Sequence, residues 1–156
     1  MKTLLTTTAA LMALAAPAFA EGDIEKGEKA FKKCKACHMI VSTDGDEIYK
    51  GGKTGPNLYG VIGRVAGTYE GFKYGNGLQD AAAAEFVWTE EELATYTVDA
   101  KKWLGDKGYA TKSKMSFKLK KGGEDVAAYL ASVGPVMEEA AAEAEATTEE
   151  ETTSTD

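Results

Sequence analysis

The chain has 156 residues, 44% of them hydrophobic, with 18 basic and 25 acidic side chains and a formal charge of −7. This length supports one small domain, and no stretch holds the roughly 20 consecutive apolar residues that a bilayer span needs. The negative charge is local: residues 138–156, "EEAAAEAEATTEEETTSTD", carry eight acidic residues and no basic one.

In chain order, residues 1–20 read "MKTLLTTTAALMALAAPAFA". A lysine at position 2, a short apolar run and a closing Ala18-Phe19-Ala20 are the parts of a secretory signal peptide, with cleavage before Glu21. The expected domain covers residues 21–137, where 17 acidic and 17 basic side chains balance. A first helix opens on Asp23 as N-cap and sets Ile24, Gly27, Ala30 and Phe31 on one inward face, running into Cys34. A long glycine-rich stretch follows, and "VSTDGDEIYKG" within it reads as surface loop. A weaker alanine-rich helix falls at "LQDAAAA". A further helix opens at Thr89 with Glu92 as its capping box, and places Leu93, Tyr96, Ala100 and Trp103 inward in one run. The last begins after Gly122-Gly123 with Val126, Tyr129, Leu130 and Val133 in register, and Gly134-Pro135 stops it. No alternating run is long enough for a strand. Residues 138–156 lack aromatics and have almost nothing to bury, which predicts a disordered acidic tail.

Three short helices bury a thin core, and loops of this length inside a small domain need something to organise them. The run "CKACH" at residues 34–38 holds both cysteines, Cys34 and Cys37, and the single histidine, His38. A disulfide here would close a very small loop and stabilise little. Zinc wants three or four ligands, and no further Cys or His exists to supply them. A redox thiol pair wants an α/β surrounding that these residues do not offer. C-x-x-C-H is also the signature of covalent c-type haem, with two thiols on one side of a helical turn and an imidazole directly after them. Export fits this, and a bulky apolar cofactor answers the deficit in the core.

If His38 takes one axial position on the iron, the other needs a second ligand. Met1 and Met12 leave with the signal, Met39 is too close to His38, and Met137 sits at the start of the tail. Met115 in the loop "ATKSKMSF" is left, although a lone methionine is more often core filler. Histidine with methionine raises the reduction potential, suits one-electron transfer and closes both axial positions. The polypeptide alone is then expected to show an apolar cavity between Cys34/Cys37 and Met115.

On these residues the chain resembles the class I c-type cytochromes, in particular the bacterial cytochrome c2 and cytochrome c-550 group. The resemblance runs from about Gly22 to Gly134. It rests on C-x-x-C-H and, in order, on "GDIEKGEKAF", "KTGPNLYGVIGR", "SKMSF" and "EDVAAYLASVG". It implies an all-α class I cytochrome c fold, with three main helices plus long loops wrapped around one covalently attached haem. It also implies that the Pro56 carbonyl accepts from the His38 imidazole, that Arg64, Tyr74 and Trp88 hydrogen-bond buried propionates, and that Ser113 lies beside the inner one. Tyr96 would reach the methionine sulfur, and Phe117 would cover the exposed haem edge. The longer stretch from His38 to Pro56, the expanded alanine-rich segment and Leu78, where many relatives have a polar residue, depart from the pattern.

The implied function is a soluble periplasmic one-electron carrier and not an enzyme, taking electrons from a cytochrome bc complex and passing them to an oxidase or another acceptor. Eight lysines and one acidic residue lie between Lys101 and Lys121, and Lys32, Lys33 and Lys35 add three more. In a neutral body such a cluster makes a dipole that steers docking onto acidic partners. No nucleic-acid partner and no membrane insertion are expected, and the protein should be monomeric. The competing readings are a peroxidase or thiol-disulfide oxidoreductase, and a ligand sensor if Met115 detaches easily.

Overall fold

The computed structural model describes residues 22–135. The expected signal peptide, Met137 and the acidic stretch 138–156 lie outside the described residues. Helix α1 spans Ile24–Phe31, and the Asp23 carboxylate accepts from the Lys26 N–H at 3.0 Å to cap it. The Asp23 N–H donates in turn to Asp125 Oδ1 at 2.9 Å, which ties the start of α1 to the C-terminal helix of the domain, Gly123–Val133. The two helices cross where Gly27 removes a side chain: a Cβ there would lie 2.0 Å from the Asp125 carbonyl oxygen. Phe31 is fully buried beside the crossing, and its ring meets Tyr129 at 5.8 Å.

Ile24 was expected on that inward face but is 51% exposed. The backbone on either side of it meets α5, at Gly22 and Gly27, but its own side chain stays in solvent, so the buried stripe narrows to Gly27 and Phe31. The segment expected as plain surface loop contains a short antiparallel hairpin, β1 at Ile40–Val41 and β2 at Glu47–Tyr49. Gly45 turns it at φ 92°, and Ile40 anchors it in the core. Two or three residues per strand are too few for an alternating pattern to register.

Helix α2, Asn76–Ala83, starts earlier than the alanine run suggested. It ends in a left-handed cap: the Phe86 N–H reaches Ala81 O at 3.0 Å and the Glu85 N–H reaches Ala82 O at 3.0 Å. Those two bonds are the Schellman pattern, whose left-handed position normally takes glycine. Here Glu85 occupies it at φ 51°. Glu85→Gly should therefore stabilise the fold by about 1 kcal/mol, the usual cost of a left-handed side-chain-bearing residue. Denaturant melts of the two proteins check this.

The long helix expected from Thr89 through Trp103 is two helices, α3 at Glu90–Val98 and α4 at Ala100–Asp106. Asp99 breaks it. Its backbone is extended (φ −156°, ψ 93°), and its carboxylate caps α4 by accepting from the Lys102 N–H at 3.1 Å. A short acid competes for backbone donors and prefers a cap to a helix interior. The break turns Trp103 into an aromatic cluster, with ring centroids 5.0 Å from Trp88, 5.5 Å from Tyr96 and 5.1 Å from Phe86. Its indole N–H donates to Glu92 Oε2 at 2.7 Å. The helix at Gly123–Val133 is then α5, and it packs on α1 and on α3. Phe31, Ile40, Leu104, Leu119, Val126 and Leu130 are the largest fully buried side chains of the core. No helix among the described residues is long and apolar enough to cross a membrane.

Candidate haem site

Past α1 the chain continues in tight turns through the "CKACH" run. The Cys34 N–H bonds Phe31 O at 2.7 Å, and both Cys37 and His38 bond back to Cys34 O, at 3.1 and 3.0 Å. Cys34 and Cys37 thus sit one turn apart, and both line one cavity with His38. Both thiols are free. Burial pushes the Cys34 thiol up to about 11, Lys33 opposes that and Cys37 adds to it. A thiol held protonated at neutral pH is a poor attacking group, which counts against thiol-disulfide exchange.

His38 Nδ1 lies 2.8 Å from the Pro56 carbonyl oxygen. A carbonyl only accepts, so Nδ1 carries the proton and Nε2 keeps the lone pair that a metal would take. Burial holds the imidazole below its ordinary pKa, partly offset by the Pro56 bond, so the ring is neutral at pH 7. Three glycines let this turn close. A Cβ on Gly51 would lie 1.8 Å from His38 O, and one on Gly55 would lie 2.5 Å from the imidazole Cε1. The Gly55 N–H also bonds Cys37 O at 2.8 Å, and a Cβ on Gly52 would lie 2.3 Å from Ala36 O.

The cavity measures about 310 Å³, within the range of roughly 300–1,000 Å³ common for small-molecule and cofactor sites. Leu58, Val61, Leu78, Leu93, Val126 and Leu130 supply apolar walls. Met115 lines it from an irregular loop that is fixed at both ends. The Leu119 N–H bonds Thr97 O at 2.8 Å, and the Met115 N–H bonds Ser113 Oγ at 3.1 Å. Ser113 Oγ in turn meets the Tyr96 hydroxyl at 3.2 Å. The Tyr96 hydroxyl thus has Ser113 as its partner in this structure, and Ser113 links Tyr96 to the Met115 backbone.

Arg64 and Trp88 are brought together by a short antiparallel pairing. The Trp88 N–H bonds Arg64 O at 3.0 Å, Gly63 N–H bonds Trp88 O at 2.8 Å, and Ala66 N–H bonds Phe86 O at 2.7 Å. The Arg64 guanidinium donates to the carbonyls of Tyr59 and Asn57, at 3.1 and 3.2 Å, and lies over the Tyr69 ring. Burial lowers its pKa, while Tyr74 and Tyr69 oppose the shift. Tyr74 shares this corner; burial raises its hydroxyl pKa and Arg64 pulls it back. Trp88 is 5% exposed, and no acceptor among the described residues takes its indole N–H, in contrast to Trp103. Phe117, 42% exposed, closes part of the rim.

All eleven residues singled out from the sequence line this one cavity: Cys34, Cys37, His38, Pro56, Arg64, Tyr74, Trp88, Tyr96, Ser113, Met115 and Phe117. Reading the sequence missed Phe72 and Thr97, which also line it. Neither stands in a motif, and only the fold brings them to the wall. The charge of the lining is one-sided, with Lys33, Arg64, Lys112 and Lys114 and no carboxylate among the described residues. Of these, Arg64 is largely removed from water, and a buried cation is costly without a counter-charge. The residues present therefore fit haem: paired thiols one turn apart, an imidazole with its lone pair free, apolar walls, and cations and an indole N–H suited to two propionates.

No protein-family model matches the chain. It is 60% identical to cytochrome c2 of Rhodobacter capsulatus over 136 residues, 85% of this chain and 98% of that protein. It is 51% identical to cytochrome c-550 of Paracoccus versutus over 150 residues, 93% of this chain and 97% of the relative. The solved structure of Rhodobacter capsulatus cytochrome c2 matches with a TM-score of 0.70 at 59% identity, over 72% of this chain and 98% of that one. The X-ray structure of ferric cytochrome c-550 from Paracoccus versutus matches with a TM-score of 0.71 at 55% identity, over 74% and 100%. Fold and cavity are thus those of a class I cytochrome c, and covalent haem c is its cofactor through the C-x-x-C-H pair. The chain belongs to the cytochrome c2 and c-550 family, and it is an electron carrier rather than an enzyme.

Proposed function

We propose that the protein is a soluble periplasmic carrier of single electrons, with His38 and Met115 as the residues that would hold its haem iron. It would receive electrons from a cytochrome bc complex and deliver them to a terminal oxidase or another periplasmic acceptor. The observation that carries this reading is that His38, Met115 and both cysteines line one cavity whose four charged groups are all cations. Bound haem supplies a one-electron iron couple, and a histidine–methionine pair raises its potential.

The chain's own residues do the rest. Cys34 and Cys37 hold the group covalently. The Pro56 carbonyl keeps the imidazole proton on Nδ1 and directs Nε2 into the cavity. Ser113 and Leu119 fix the loop that carries Met115. Arg64, Tyr74 and Trp88 would supply positive charge and hydrogen bonds to the haem propionates. The apolar walls exclude water, which keeps the reorganisation that accompanies a change of charge small.

Docking is assigned to the rim. Of the lysines expected there, Lys102, Lys107 and Lys118 are already paired with Asp106, Glu92 and Asp99. Lys33, Lys112 and Lys114 line the cavity and have no carboxylate partner among the described residues, and Lys32, Lys35, Lys120 and Lys121 are exposed alongside them in sequence. Lys33→Glu together with Lys112→Glu should slow reduction by the bc complex about tenfold at low salt. The two proteins should converge as salt rises. Stopped-flow rates across a salt series, with the reduction potential checked as unchanged, decide it. Equal rates at every ionic strength would remove the rim from the docking face.

A further inference from the structure

The cationic rim has a second candidate occupant within the same chain. The described part of the chain ends at Pro135, whose ring packs over Gly60, with Cδ 3.2 Å from where a Gly60 Cβ would stand. Gly60 lies between Leu58 and Val61, and both of these line the cavity. The chain therefore leaves the domain beside the cavity wall. Lys120 and Lys121 precede α5, whose 11 residues put its two ends about 16 Å apart at the usual helical rise. The 21 residues beyond Pro135 span at most about 70 Å when fully extended. Every rim lysine is within that reach.

Charge decides where such a segment would settle. Residues 138–156 carry eight carboxylates and no cation. Residues 22–135 carry 17 basic and 16 acidic side chains, so they offer no general attraction. The local excess is at the cavity, where Lys33, Lys112 and Lys114 stand without a carboxylate from the described residues. Each exposed ion pair is weak, but a tethered segment acts at an effective concentration in the millimolar range for short linkers.

We propose that the acidic segment 138–156 lies across the lysine rim of its own molecule, as an internal competitor for the face that acidic partners use. The competition, though not the contact, rests on the reading of that rim as the docking face. The contact is salt-sensitive and incomplete. It trims the rate of partner association at low ionic strength and flattens its dependence on salt.

Carbodiimide cross-linking of the dilute, haem-loaded full mature protein tests the contact directly, because it joins only carboxylates and amines that touch. In the monomer fraction at low salt, segment carboxylates should be amide-linked to Lys33, Lys112 and Lys114. These links should exceed those to Lys26, Lys50 and Lys102, each already paired with a carboxylate, by about tenfold, given the tether. They should vanish near 0.5 M salt, where screening is nearly complete at a Debye length of about 4 Å. Absence of links to the rim, links confined to dimers, or equal linking of all lysines would overturn the proposal. A variant with the seven segment glutamates changed to Gln and Asp156→Asn should lose the links and react faster with the bc complex. Rim links with no change in that rate would sustain the contact and count against the docking reading instead.

Discussion

Met115→Ala should lower the reduction potential by a sizeable part of the roughly 0.8 V that axial ligands span across haem proteins. The thioether is the group that raises the potential of a histidine-ligated iron, and no other methionine among the described residues lines the cavity. The fold should survive. The loop keeps both anchors, Leu119 N–H on Thr97 O at 2.8 Å and Ser113 on Tyr96 at 3.2 Å, and neither involves the methionine side chain. Met115 is only partly buried, so truncation should cost about 1–2 kcal/mol, below the range of fully buried methionines. Potentiometric titration of both proteins reads the effect. The reduced variant should also bind carbon monoxide, which the parent should resist. An unchanged potential would remove Met115 from the iron, and ready carbon monoxide binding by the parent would favour a ligand sensor.

Gly55→Ala should damage the other side of the site. The new Cβ would stand 2.5 Å from the His38 ring Cε1 and 2.7 Å from Nδ1. The glycine cannot retreat freely, because its N–H is bonded to Cys37 O at 2.8 Å and the next residue supplies the carbonyl that holds His38. The imidazole must therefore turn, and the Nδ1–Pro56 bond breaks. Overpacking costs about 1–3 kcal/mol and the lost hydrogen bond about 1 kcal/mol more. Stability should fall by about 3 kcal/mol in denaturant melts, and the visible spectrum should change with the ring. Gly105→Ala is the control. Its Cβ meets only Thr111 Cγ2 at 3.4 Å, inside a helix, so it should be neutral or slightly stabilising.

These two sites differ in how openly the sequence displays them. The "CKACH" run, the caps at Asp23 and Thr89 and the α5 stripe are local patterns, and local patterns survive reading along the chain. The pairing that sets Arg64 beside Trp88 is not local; its partners are 24 residues apart in sequence and leave no periodic trace. Asp99 hides its break because a helix interrupted for one residue keeps nearly the same apolar spacing on either side. Glu85 hides the end of α2 because glutamate is a good helix former at a position that geometry reserves for glycine. The lysine run reads as one basic patch, yet Lys107 and Lys118 are neutralised by acids from outside it, Glu92 of α3 and Asp99 at the break. Tertiary structure made the Arg64–Trp88 pairing and those two ion pairs.

Ligation of the iron by His38 and Met115 is the central claim, and the oxidised absorption spectrum of the mature, haem-loaded protein tests it most directly. A weak far-red band, which methionine sulfur gives on ferric iron, should be present and should disappear in Met115→Ala. Covalently attached haem without that band in the parent protein would contradict the claim, because the sixth position would then be open or held by another group.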